Sequence, residues 1–145
     1  MIPNIDQRTG YLPPGVHKAQ WAEIVQRFGG NQRRLRLLVG LDNALAEFAR
    51  AGCRSILLNG SFIIDKPLPG DYDGAWEPDG VNEYLLDPVL LDWSNRRKAM
   101  KGKYKGELFP ADAKAAPGIT YRYFFQRNRK GKRKGIIKID PRELL

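Results

Sequence analysis

The residues best suited to chemistry are two carboxylates one residue apart, Asp71-Tyr72-Asp73, set nine residues after a small-residue corner, Asn59-Gly60-Ser61. In an extended chain, residues two apart project to the same side. Asp71 and Asp73 therefore share a face and Tyr72 turns away. Neighbouring carboxylates repel, so the pair sits together at low cost only where a cation neutralises both or water solvates both. Mg2+ accepts such ligands, usually one or two carboxylates completed by waters and substrate phosphates. The corner is complementary: a Gly-Ser turn leaving a strand presents backbone N–H groups and a hydroxyl to a phosphate. A side chain at Gly60 would obstruct that approach. The plainer alternatives are that Asp71 and Asp73 are surface turn acids after Pro69-Gly70, and that the Ser61 hydroxyl bonds its own backbone.

The elements that must hold these residues can be read from periodicity and punctuation. Residues 1–15 carry Pro3, Gly10, Pro13, Pro14 and Gly15 and read as an extended arm. A short helix is expected from His17 to Phe28, ended by Gly29-Gly30. His17, the only histidine, reads as a surface or packing residue. Asn31 can cap a longer helix to Ala51, with Leu35, Leu38, Leu41, Leu45 and Phe48 as one buried stripe. Gly52 stops it. Ser55 to Leu58 reads as a strand, Tyr72 to Trp76 as a second, and Glu107 to Phe109 as a third. Asp87 with Pro88 opens a helix expected to reach Met100. Ile119 to Phe125 and Gly135 to Asp140 read as two strands of a C-terminal β-hairpin, with Asn128 to Lys132 as the turn. Helices and strands mix, so the fold class is α+β or α/β.

A length of 145 residues suits one domain spanning 1–145 with its own core. No apolar run approaches the roughly 18 residues of a membrane span. Met1-Ile2-Pro3-Asn4 lacks the basic and apolar regions of a signal peptide. The one cysteine, Cys53, excludes an internal disulfide and reads as a small buried hydrophobe. One Cys and one His cannot build a zinc site. A cytoplasmic protein is expected. The net charge of +9 favours polyanionic partners.

Strand, Gly60-Ser61, about ten residues, then Asp71-Tyr72-Asp73 resembles the nucleotidyltransferase superfamily of the DNA-polymerase-beta type, and within it the minimal nucleotidyltransferases. The wider text Gly60-Ser61-Phe62-Ile63-Ile64-Asp65-Lys66-Pro67 and Gly70-Asp71-Tyr72-Asp73 is similar to an uncharacterised bacterial family of that superfamily. So are the opening Leu12-Pro13-Pro14-Gly15-Val16-His17 and the ending Lys134-Gly135-Ile136-Ile137. The resemblance implies a mixed β-sheet packed by helices. It also implies Mg2+ or Mn2+ held by Asp71 and Asp73, and a nucleoside triphosphate seated on Gly60 and Ser61. A third acid on a neighbouring strand would complete a two-metal site and act like a base toward the acceptor. Glu107 is the first candidate and Asp112 the second, although the family commonly has Asp there. Lys66 stands where it could replace the Arg that many relatives carry close behind the Ser.

Two basic runs stand out. Arg96-Arg97-Lys98, Lys101, Lys103 and Lys105 fall late in or after a helix, where cations complement the helix dipole. Arg127, Arg129, Lys130, Lys132, Arg133 and Lys134 put six cations into eight residues. That density favours a phosphate-rich partner, with Arg129, Lys130, Lys132 and Arg133 as the candidate polyanion contacts. Tyr121, Tyr123, Phe124 and Phe125 read as strand core before a base-stacking platform. Three functions are expected to compete. The first is transfer of a nucleoside monophosphate to a protein or RNA hydroxyl. The second is an inactive antitoxin that binds a cognate toxin protein, in the toxin–antitoxin or phage-defence setting the resemblance implies. The third is an RNA- or DNA-binding protein using the basic hairpin.

Overall fold

Period-two and period-3.6 patterns sort this chain into a mixed sheet with three helices on one face and one on the other. The computed structural model describes residues 1–144. In chain order it has β1 (Gly15–Lys18), α1 (Trp21–Phe28), α2 (Gln32–Arg50), β2 (Ile56–Asn59), β3 (Tyr72–Trp76), α3 (Ser94–Tyr104), β4 (Gly106–Pro110), β5 (Lys114–Ala116), β6 (Ile119–Thr120), α4 (Tyr121–Phe124) and β7 (Gly135–Ile139). Five strands form one sheet in the order β1-β7-β2-β3-β4, and β5 and β6 pair separately. β7 and β2 run antiparallel, as do β2 and β3, whereas β1 with β7 and β3 with β4 are parallel. The α+β expectation holds. No helix among the described residues is long and apolar enough to cross a membrane.

Alternation assigns each strand residue a face. Ile56, Leu58, Tyr72, Trp76, Leu108, Ile137 and Ile139 join the main core with Ile24, Leu41, Phe48 and Met100 of α1, α2 and α3. Leu57, Ala75 and Ile136 point the other way, onto Phe125, Phe109 and Tyr121. β2 is covered on both faces, which explains its unbroken apolar run. α2 approaches the end of α3 closely at Gly40, where an added Cβ would collide with the Tyr104 carbonyl oxygen. Cys53 is fully buried, and burial pushes its thiol up to about 11.

Several expected boundaries move. The helix expected at His17 begins at Trp21, because residues 15–18 pair with Gly135 to Lys138. That partner lies over a hundred residues away, beyond any local signal. His17 sits in β1 with Nε2 2.6 Å from the Pro13 carbonyl oxygen, a packing residue as expected. Residues 1–14 form no helix or strand, yet Ile2, Ile5 and Leu12 are buried in the core. Leu35 is exposed, and Leu37 takes its place in the stripe. The helix expected from Asp87 to Met100 divides into a 3-10 turn, Pro88–Leu91, and α3. Asp87 still caps the first turn, its side chain accepting from the Val89 N–H, and the break falls at Asp92, whose side chain accepts from the Ser94 N–H and hydroxyl and starts a new helix. Inside α3, Asn95, Arg96 and Arg97 take left-handed φ values of 50°, 55° and 61°. The strand expected over Ile119–Phe125 is extended only at Ile119–Thr120, and Tyr121–Phe124 is helical. Its aromatic side chains gather on Phe109 instead of alternating. β7 pairs with β1 and β2, so the C-terminal hairpin reduces to one bridge, Arg127 with Arg133, closing the expected Asn128–Lys132 turn.

The segment between Ser61 and Asp71 contains Pro67 and Pro69 and holds only one 3-10 turn, Ser61–Ile63. Its carbonyl groups therefore need donors from elsewhere. Buried Arg34 supplies them, donating to the carbonyls of Phe62 (2.6 Å), Ile64 (2.7 Å) and Lys66 (2.6 Å), and more weakly to Phe28 (3.3 Å). The Asn31 side chain accepts from the Arg34 N–H and donates to the Pro67 carbonyl (2.7 Å), so one cap residue starts α2 and ties down the loop. Replacing Arg34 by Ala orphans these carbonyls. We expect a loss of about 3 kcal/mol or more, or roughly 10 °C in Tm at about 3 °C per kcal/mol. Arg34→Lys should rescue little, because a point charge cannot reproduce the planar fork. Thermal denaturation of the two variants checks this, and a wild-type Tm for either would refute it.

Candidate active site

The corner and the carboxylates meet because β2 and β3 are adjacent and antiparallel, with Asn59 opposite Asp73. Gly60 then turns the chain at φ +92°. A Cβ at Gly60 would lie 2.8 Å from the Asp73 Oδ2 atom, so only glycine lets the corner press against the carboxylate. Ser61 starts the 3-10 turn directly behind. Asp71 precedes β3 and Asp73 lies within it, with buried Tyr72 on the opposite face, as the two-residue spacing requires. β4 runs parallel to β3 and places Glu107 opposite Asp73. Asp71, Asp73 and Glu107 each offer an oxygen within 4.8 Å of the others. Asp112, the second candidate for the third acid, is exposed beyond the end of β4 and outside this group.

Crowding shows in the protonation of the pair. Burial, then Asp71 and Glu107, push Asp73 up to about 7, against the pull of Lys134 and Arg97. Asp71 is raised by burial and by Glu107, with Lys101 and Lys66 opposing. Arg97 Nε donates to Glu107 Oε2 at 2.5 Å, and its guanidinium lies 5.2 Å from the centre of the Phe109 ring.

A cleft of about 800 Å³ opens on Asp73 and is lined by Asn59, Gly60, Ser61, Lys66 and Lys134, with Phe124, Phe125, Arg127 and Arg129 on its far side. Gly60, Ser61 and Lys66 therefore share one cavity with Asp73. Arg129 reaches that cavity, whereas Lys130, Lys132 and Arg133 are exposed on the turn and do not line it. Asn59 is only 7% exposed, and its Oδ1 has no hydrogen-bond partner among the described residues. Asp71, Asp73 and Glu107 are hard oxygen donors suited to Mg2+ or Mn2+, and the unpartnered Asn59 Oδ1 lies in a residue that lines the same cleft as Asp73.

A model of the family described as "Family of unknown function (DUF6932)" matches residues 3–140. The chain belongs to that family. The matched span takes in every residue of the cleft and all three carboxylates. No curated protein and no solved structure matches the chain.

Some site residues escape sequence reasoning. Asn59 was visible as a polar residue ending an apolar strand, a signal for a buried polar group with a task. Lys134 is indistinct within its basic run, yet it is half-buried in the cleft, 5.4 Å from the centre of the Tyr11 ring. Arg97 reaches Glu107 only because α3 folds back on β4.

The raised Asp73 pKa has a definite pH signature. In the folded chain this group holds its proton up to about pH 7, whereas an unfolded Asp releases it near pH 4. Between those values the folded state binds more protons, so stability falls as pH rises from about 4 to about 7. Without added metal, Tm should decline across that window, and Asp73→Asn should flatten the decline and raise Tm at pH 8 by several degrees. Mg2+ or Mn2+ should raise the wild-type Tm at pH 8 and raise it much less near pH 5, where Asp73 holds its proton. A metal-insensitive, pH-flat Tm would count against the cluster as a cation site.

Proposed function

We propose that this protein is a Mg2+- or Mn2+-dependent nucleotidyltransferase that moves a nucleoside monophosphate from a nucleoside triphosphate to a hydroxyl on protein or RNA. The observation that carries the reading is the meeting of Asp71, Asp73 and Glu107 within 4.8 Å of one another, beside a cleft cornered by Gly60 and Ser61. Asp71, Asp73 and Glu107 would hold the ion, which when bound supplies positive charge against the phosphates.

The chain's own groups account for the rest. The Ser61 hydroxyl and the backbone N–H groups of the corner would bind the outer phosphates, with Lys66 and Lys134 adding positive charge. Phe124 and Phe125 give the cleft an apolar wall for the base. The acceptor oxygen attacks the α-phosphorus as the bond to the bridging oxygen of the β-phosphate breaks, releasing pyrophosphate. Glu107 would act like a base toward the acceptor's hydroxyl, and its bond to Arg97 would have to loosen for that role. Rate enhancement comes from position and electrostatics, since no protein nucleophile is needed. A reducing cytoplasm suits the single buried Cys53.

The test uses each of the four α-phosphate-labelled triphosphates with a lysate or RNA pool as acceptor. Wild-type protein should transfer label in the presence of Mn2+ or Mg2+. The Asp71→Ala, Asp73→Ala double variant should lose about 100-fold or more, and Ser61→Ala about tenfold. Label transfer that persists in the double variant would refute the reading.

A further inference from the structure

A second basic recess, of about 310 Å³, opens on Asp71 and not on the nucleotide cleft. Arg33 and Arg36 of α2 and Lys101 and Lys105 at the end of α3 line it with Gly70. None of these four cations is ion-paired with a carboxylate among the described residues. Their placement on α2 runs against local electrostatics. Arg33 and Arg36 follow closely on the start of that helix, where the dipole already presents positive charge, and its first turn has no acid to offset them. Arg34 between them is consumed by the loop carbonyls, but Arg33 and Arg36 have no such structural use. An anion delivered to the recess would offset the four side chains.

A second feature lies farther along the same edge strand. β4 ends the five-stranded sheet, and along it come Lys105 at its start, then Glu107, then Phe109 on the same face as Glu107. Phe109 stacks with two rings: Tyr121 lies parallel with ring centres 4.2 Å apart, and Trp93 lies parallel at 6.0 Å. Trp93 is 42% exposed, so part of its indole is open to a ligand. The edge of the sheet therefore presents cations, then carboxylates, then an open aromatic face. Cations for the backbone and an aromatic face for a base are how proteins hold single-stranded nucleic acid.

We propose that the acceptor is a single-stranded polynucleotide lying along β4. Its phosphates occupy the recess of Arg33, Arg36, Lys101 and Lys105, a base stacks on Trp93, and its hydroxyl is brought to Asp71 and Glu107. The proposal rests on the nucleotidyltransferase reading for what happens to that hydroxyl, and on the recess and the stack alone for binding.

Binding and transfer are therefore measured separately. A fluorescein-labelled RNA of about twelve nucleotides, within the usual span of such sites, is titrated with the full chain by fluorescence anisotropy at several salt concentrations, with a DNA of the same sequence in parallel. Arg33→Gln with Arg36→Gln should weaken RNA binding about tenfold or more and reduce the salt slope by roughly 1.4, at about 0.7 for each phosphate no longer neutralised. The charge-matched control, Arg8→Gln with Lys114→Gln, should bind as wild type. Unlabelled RNA should quench tryptophan fluorescence in the wild type, and Trp93→Phe should remove most of that quench. The Asp71→Asn, Asp73→Asn variant should bind RNA at least as tightly as wild type while transferring nothing. Wild-type protein that binds RNA but transfers nothing would sink the catalytic reading and leave the acceptor surface standing. Wild-type affinity in the Arg33/Arg36 variant, an equal loss in the control, or transfer to protein that ignores Arg33 and Arg36 would each overturn the acceptor assignment.

Discussion

The buried Arg34 guanidinium is the interaction on which the site depends. Sixty-odd residues into the chain, two prolines forbid the helix that could have satisfied the loop's own carbonyls. A single side chain from α2 does so instead, at three loop oxygens and, more weakly, at the Phe28 carbonyl ending α1. The loop it fixes runs from Ser61 to Asp71, so its two ends are the Gly60-Ser61 corner and the first carboxylate. A cation in the interior is costly unless every donor is used. Here that cost is offset by ordering a segment with no regular structure of its own. Phe28 and Phe62 pack against the same guanidinium at 6.0 and 5.3 Å, so charge and packing hold it together.

Around that anchor, the site is an exercise in managed repulsion. Three acids are drawn together by two neighbouring strands, and the surroundings partly relieve them with Lys134, Lys101, Lys66 and Arg97. Burial first, and this incomplete relief second, let Asp73 hold its proton to about pH 7. An isolated surface pair would be solvated and ordinary. The chain instead accepts an unfavourable arrangement at the mouth of a cleft, the usual sign that the arrangement is kept for something other than folding.

Much of this was legible in the residues, for reasons that differ by scale. Asp71 and Asp73 were legible because strand geometry is strict at a spacing of two. Gly60 was legible because close approach excludes a side chain. Glu107 was reachable because its strand lies near in sequence and is apolar on its other face. The pairing of β1 with β7 was not legible, because register between distant segments leaves no local trace. The aromatic run Tyr121 to Phe125 misled in the other direction. Its composition favours a strand, but Phe109 offers a stacking partner, and packing outweighs intrinsic β preference. Arg34 was hidden by its company: three arginines in four residues look like a solvated surface, and only the fold shows which one turns inward.

The sheet order has a consequence for how the molecule is made. β7 is the last strand synthesised, yet it lies between β1 and β2. Until it emerges, the nascent chain can join β2, β3 and β4, but β2 keeps a bare apolar edge and β1 has nothing to join. Such long-range closure is slow, and an open edge invites association with other chains. Lys134, one residue before β7, arrives at the cleft with the same event. Completion of the cleft and protection of the sheet are thus one late folding event, and the interval before it is when chaperones would have the most to hold.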